Sequence, residues 1–287
     1  MPERPELDHQ RGLLEALLVG AQIEGVEVHD PVVVRHMVEG ATSAALVGQR
    51  VRAVRRRAHV LLFDLDGPAA CTLLAVHPML AGRFSAQAPG ARRTRDCCVE
   101  LQVGGVGLLR YRDDERMGKV YIAAAAQEAQ IPGLAQVGVD VLGPDFTPAA
   151  LAALCAKRRD QVKNLLLDKA ALDALGNAYA DEALFAAGLH PKRRCNSLSA
   201  AEVGALHAGI VSTLAGARDE VARRQPPLDA KLRDFLVVRN RKGAPCTRCG
   251  APIRVCGVNG HDAFFCAVCQ PDTAGTSRIP WTRPAAP

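Results

Sequence analysis

Two CxxC pairs near the end of the chain, Cys246-Thr247-Arg248-Cys249 and Cys266-Ala267-Val268-Cys269, restrict the fold more tightly than any other feature, and 16 residues separate them. Thiolates on two knuckles at that spacing suit tetrahedral zinc. Four of them leave no open coordination position, so a single structural Zn2+ is expected. Between the knuckles, Ile253–Val258 and Asp262–Phe265 flank Asn259-Gly260, a strong signal for a type I′ hairpin. Cys256 lies inside this module but off the ligand spacing and reads as a packed thiol. The sequence opens on charged residues and has no apolar run approaching about 20 residues. With no export signal, its ten cysteines point to thiols and metal, in a soluble cytoplasmic protein, and away from a disulfide framework.

Ahead of that module the hydrophobic period changes once. From about residue 23 to 125, short Val- and Leu-rich runs alternate with turn residues: Val51–Val54, Val60–Leu65, Cys71–Val76, Val99–Val103, Val106–Tyr111 and Lys119–Ala123. Asp66-Gly67 and Gly104-Gly105 stand where hairpin connections are needed. This pattern predicts a β-sandwich or flattened barrel, fronted by a helix that ends at Gly20.

Beyond Pro144 the period is helical. Thr147-Pro148 supplies an N-cap followed by Pro at the first helical position. Further helices are predicted over Gln161–Leu167, from Asn177 to Gly188, and from a Ser199–Glu202 capping box through Leu214. Gln225-Pro226-Pro227 reads as a connection. The expected architecture is α+β and multidomain: a β-sandwich with a leading helix over 1–135, a helical domain over 136–238, the four-cysteine finger over 239–272, and a disordered tail over 273–287. Net charge is +6, and residues 151–245 carry 16 Lys/Arg against 10 Asp/Glu. That bias permits a polyanionic partner without requiring one.

The start of the chain, Met1-Pro2-Glu3-Arg4-Pro5-Glu6, carries the chemistry. A small residue after Met favours removal of the initiator, which leaves the Pro2 nitrogen as the first atom of the mature protein. Pro5 suits the first turn of a helix, and Leu7, Leu13, Leu14, Leu17 and Leu18 follow with helical spacing. Pro2, Glu3 and Glu6 therefore sit at the positive end of a helix dipole, which stabilises carboxylates and discourages protonation of the amine. An α-amino group has a pKa near ~7.7–8.0 against ~10.4 for lysine, so more of it is neutral and nucleophilic at physiological pH. Such an amine suits Schiff-base chemistry on a sugar carbon.

Three stretches in register resemble the formamidopyrimidine-DNA glycosylase / endonuclease VIII family of base-excision repair enzymes. They are Pro2–Glu6; the run from Leu165-Leu166-Leu167-Asp168 through Gly176-Asn177 and Asp181-Glu182 to His190-Pro191, similar to the family's helix–two-turn–helix; and the finger, down to Gln270 after the last cysteine. The resemblance implies a bifunctional DNA glycosylase and abasic-site lyase acting as a monomer on double-stranded DNA that contains damaged bases or abasic sites. Pro2 would attack C1′, Glu3 would serve as general acid/base, and Glu6 would hold the amine and the substrate. Lys163, Asn177 and Arg116 match residues that contact the DNA backbone. Leu80 and Met117 match the apolar residues that fill the gap left by the flipped nucleotide, although taken alone each reads as ordinary core. Cys246, Cys249, Cys266 and Cys269 would hold the zinc.

Three positions depart from the family's pattern. His59 stands where the family has a lysine that assists the chemistry, His261 where the finger presents an arginine to phosphate, and Glu115 where an arginine reads the base opposite an oxidised purine. The stretch from Ala215 to the finger is also short for the loop that covers 8-oxoguanine in purine-specific members. These changes bear on the choice of lesion more than on the reaction. A second reading, a catalytically weak relative that binds damaged DNA, rests on the same three positions. A zinc-ribbon regulator of unrelated type explains the finger but leaves the N-terminal motif without a role.

Overall fold

The computed structural model describes residues 1–173 and 175–272, so the expectation for the tail over 273–287 lies outside the described residues. The chain divides into two compact units, one of residues 1–137 with 216–233, the other of residues 138–215 with 234 onward.

The first unit opens with α1 (Arg4–Leu18), capped at Glu3, whose N–H donates to Glu6 Oε2 at 2.8 Å. Leu7, Leu14 and Leu18 of this helix are fully buried. At about 1.5–3 kcal/mol per buried leucine, this face anchors the helix far more strongly than its cap does. Two sheets follow. The first is formed by β1 (Ile23–Val28), β7 (Cys97–Val103), β8 (Gly107–Arg112) and β6 (Arg83–Gln87), in that order. The second runs β2 (Val34–His36), β9 (Lys119–Ala123), β5 (Leu73–His77), β4 (Val60–Asp66) and β3 (Arg50–Arg57). All neighbours in this second sheet are antiparallel except β2 and β9.

Strand β4 is buried on both faces, which explains its unbroken apolar run. Leu61, Phe63 and Leu65 join the sandwich interior, while Val60 and Leu62 meet Leu73, Ala75, Ile131 and Leu134 in a second core. The sandwich expectation therefore holds. Strands β1, β2 and β6 carried too little pattern to be read. Strand β1 has a register shift at Gly25, β2 has three residues, and β6 has Phe84 as its single large apolar side chain.

In the second unit, Thr147 caps α2 (Pro148–Ala156) through a bond from Ala150 N–H at 3.1 Å. Helix α3 spans Val162–Leu167, and α4 spans Asn177–Ala187 and ends on a left-handed Gly188. The capping box forms as expected, with Ser199 N–H to Glu202 at 2.7 Å and Glu202 N–H to Ser199 Oγ at 3.2 Å. The helix it opens, α5 (Ala200–Arg224), runs ten residues past the predicted Leu214. By length and composition α5 could cross a membrane. Its stripe of Leu206, Ile210 and Leu214, however, is wholly buried inside the fold.

The finger hairpin, β10 (Ile253–Val258) and β11 (His261–Cys266), turns at Asn259 and Gly260, both left-handed with φ of 46° and 78°. It is tied to α4 within the same unit. Arg248 donates to the Phe185 carbonyl at 2.8 Å and lies 4.2 Å over its ring. Gln270 accepts from Cys266 N–H and donates to the Leu189 carbonyl.

Candidate active site

In the first unit, Pro2, Glu6, Leu80, Arg83 and Lys231 line one open cleft of about 280 Å³. Glu3 and Glu6, at 2% and 3% exposure, are too buried to remain charged without a partner. The partner is Arg233, whose Nε donates to Glu6 Oε1 at 2.8 Å while its terminal nitrogen lies 3.3 Å from Glu3 Oε1 and 3.0 Å from the Met1 carbonyl. The route that brings Arg233 there starts from α1 itself. His9 bonds the Pro226 carbonyl at 2.8 Å, and Gln10 donates to the Leu228 carbonyl at 3.1 Å. Pro226-Pro227 is thus no mere connection. Its fixed φ angles and these two side-chain bonds lay residues 228–233 along the start of the chain.

Met1 is present in the structure, so the terminal amine seen is one residue ahead of the amine that processing would expose on Pro2. That terminal amine is pushed down to about 5, first by burial and then by the nearby charges of Lys231 and Arg233. Neither cation could be found from sequence motifs. Each is more than 220 residues from the amine it meets, and the only local signal is a basic pair, Lys231 and Arg233, just beyond a double proline.

Leu80 and Met117 are exposed by 54% and 44%, so neither is ordinary core. They sit on two turns that close on one buried hydroxyl. In the 78–82 turn, Gly82 N–H donates to the Pro78 carbonyl, and a Cβ on Gly82 would lie 2.3 Å from Tyr111 Oη. In the 113–118 loop, Gly118 N–H donates to Asp113 Oδ2 at 2.7 Å, and a Cβ on Gly118 would lie 1.7 Å from Tyr111 Oη. Only glycine fits at either place. Burial, reinforced by Asp113, drives the Tyr111 phenol far above its ordinary range, so it remains a neutral hydroxyl. Arg116, left-handed at φ 54°, is fixed by Asp30 at 2.7 Å and by the Asp113 and Asp114 carbonyls. Glu115 stands exposed beside it.

His59, expected in the place of the family's lysine, is enclosed by the fold. It follows Ala58 in the turn between β3 and β4 and is 1% exposed, with its ring 6.4 Å from that of His77.

In the second unit, Lys163, matched by the resemblance to a phosphate-contacting residue, has protein partners. It is fully buried and pairs with Asp181 at 2.6 Å, and it donates to the Asp262 carbonyl at 2.5 Å. Arg239 joins the same Asp181 at 2.9 Å. Burial pushes Asp181 up and Lys163 down, and their ion pair opposes both shifts. The neighbouring Glu182 accepts three backbone N–H bonds from Val237, Val238 and Arg239, locking the entry to the finger onto α4. Asn177 stands at the first position of α4, its buried Oδ1 without a hydrogen-bond partner among the described residues. His261 is exposed at the hairpin tip.

The ligand atoms of Cys246, Cys249, Cys266 and Cys269 all lie within 4.8 Å of one another. The sulfurs of Cys246 and Cys269 are 3.8 Å apart, and those of Cys249 and Cys266 are 3.4 Å apart. Burial raises the Cys246 thiol, but the Arg248 and Cys249 N–H groups outweigh it and bring the thiol down to about 7, so the thiolate a metal requires is accessible. Four thiolates on two knuckles fit a structural zinc. A second grouping, His29, Cys97 and Glu100, fits a metal less well, because Arg110 already takes the Glu100 carboxylate and burial holds Cys97 as a thiol.

The fold and its four-cysteine hairpin are those of a DNA glycosylase. Residues 1–120 match the formamidopyrimidine-DNA glycosylase N-terminal domain, and residues 137–222 match the helix–two-turn–helix domain of the same enzymes. The formamidopyrimidine-DNA glycosylase of Symbiobacterium thermophilum is 36% identical over 98% of this chain and 92% of its own length. That of Geobacillus kaustophilus is 35% identical over 94% of this chain and all of its own. Among solved structures, the MutM (Fpg) protein of Thermus thermophilus superposes with a TM-score of 0.81 at 29% identity, covering 94% of this chain and 98% of that one. Lactococcus lactis Fpg in complex with DNA containing an abasic site superposes at 0.84 with 25% identity, covering 94% of this chain and all of that one. The chain belongs to the formamidopyrimidine-DNA glycosylase family.

Proposed function

We propose that this enzyme excises oxidised purines from double-stranded DNA and cleaves the resulting abasic strand, with the Pro2 amine as nucleophile. The amine attacks C1′ of the flipped nucleotide, the base departs with the electrons of the glycosidic bond, and a Schiff base remains. Glu3 moves protons to and from the opening sugar, and elimination then expels the 3′-phosphate. Glu6, fixed by Arg233, holds the start of the chain in place. Leu80 and Met117 fill the vacated space in the duplex, Arg116 and Asn177 approach the backbone, and His261 stands where the finger reaches phosphate. The free N–H groups and dipole at the start of α4 favour an anion there.

The observation that carries this reading is the arrangement at the start of the chain, where Pro2 lines an open cleft next to Glu3 and Glu6, two buried carboxylates held by Arg233. A protein that only bound damaged DNA would have no use for it. Thiol cysteines suit a bacterial cytoplasm, and the enzyme acts there as a monomer. Borohydride trapping on an oligonucleotide with an abasic site tests the proposal. Wild-type protein should give a covalent adduct whose modified peptide contains Pro2, and a protein blocked at the terminal amine should give none. Absence of any wild-type adduct sinks the proposal.

A further inference from the structure

We propose that Lys231, on the segment after α5, is the positioning residue for the amine nucleophile. The inference rests on the reading of Pro2 given above.

Three observations carry it. Lys231 lines the same cleft as Pro2, Glu6 and Leu80, and its Nζ donates to the Leu80 carbonyl at 3.4 Å, beside the Met1 amine that lies one residue ahead of the Pro2 nitrogen. No carboxylate among the described residues forms an ion pair with it, whereas the other cations at this site are engaged. Arg83 pairs with Asp96 and Asp114, and Arg233 pairs with Glu3 and Glu6. Lys231 is also held between two anchors, the His9 and Gln10 bonds to residues 226 and 228 on one side and the Arg233–Glu6 bond on the other. A long side chain on a fixed backbone therefore brings its ammonium into the cleft that Pro2 lines.

The physical consequence is electrostatic. An ammonium beside an amine disfavours a second positive charge, so the neutral form is favoured. Its N–H donates to the amine lone pair in the free enzyme and yields that lone pair to C1′ when the nucleotide enters. Burial, followed by the charge of Arg233, pushes Lys231 itself downward, in keeping with two cations crowded at one cleft.

The test measures the amine directly. The rate at which acetic anhydride labels the N-terminus of the full-length protein is followed by mass spectrometry across pH, alongside borohydride trapping on abasic DNA. In Lys231→Met the labelling curve should move to higher pH, so that the rate near neutrality falls about tenfold for each unit of displacement. The trapping curve should move with it, and Lys231→Arg should keep the wild-type curve. Superposable curves for wild type and Lys231→Met overturn the inference, as does a trapped adduct that maps to Lys231. If labelling shifts while wild-type protein traps no DNA, the placement of Lys231 stands and the Pro2 reading fails.

Discussion

The two units use buried charge in opposite ways. At the start of the chain, Glu3 and Glu6 are buried beside Arg233, and Glu6 with Pro2 borders an open cleft, so the ion pairs orient groups at the edge of open space. Around α4, Lys163, Asp181 and Arg239 form an equally buried set whose partners are all internal. Both sets lie in motifs with the same family resemblance. What separates them is whether any polar atom faces open space. Removing one partner of a buried pair is costly in either place, but only the first set couples that cost to chemistry.

The largest expected effect is at the first set. Glu3→Gln should lower base excision by about 10²–10⁴-fold, the usual worth of a positioned acid/base. It should still give a trapped adduct on a preformed abasic site, because the amine is untouched. Single-turnover cleavage beside trapping separates the two steps, and equal loss of both would erase the contrast between the units.

Lys163→Met should cost about 3–5 kcal/mol in urea unfolding by stranding Asp181. In the protein that remains folded, the slope of DNA affinity against salt should be unchanged. A slope reduced by about one would return Lys163 to the DNA surface. Removing zinc by chelation should first release the hairpin from α4, seen as exposure of the Phe185 region to proteolysis or hydrogen exchange, with the sandwich unaffected. Gly118→Ala should cost about 1–3 kcal/mol through its collision with Tyr111. The smallest effect concerns the opposing base. With Glu115 in place of an arginine, excision opposite C should exceed that opposite other bases by less than about tenfold, less than one good base contact would supply. A strong preference for C would contradict the alignment at Glu115.

How much could be read in advance follows the reach of each interaction. The Thr147 cap, the Ser199–Glu202 box and the Asn259-Gly260 turn are settled within a few residues, and each formed where the residues indicated. The four-thiol cluster was legible because metal chemistry fixes its spacing. The fate of Lys163 was not, since its partners Asp181 and Asp262 lie 18 and 99 residues away. Arg233 was further out of reach, 227 residues from Glu6. A motif records which residue types recur. It does not record whether packing has closed over them, and His59 and Lys163 are the two positions where that mattered.

The Tyr111 hydroxyl gives the molecule a mechanical property. Gly82 and Gly118 press on it from two separate loops, and those loops carry Leu80 and Met117. Two probes resting on one pin share their tolerance: a displacement that lifts one shifts the seat of the other. Substitutions at Leu80 and Met117 should therefore fail to add in a double-mutant cycle, even without contact between the two side chains. The pair would then sense a gap in the duplex as one gauge.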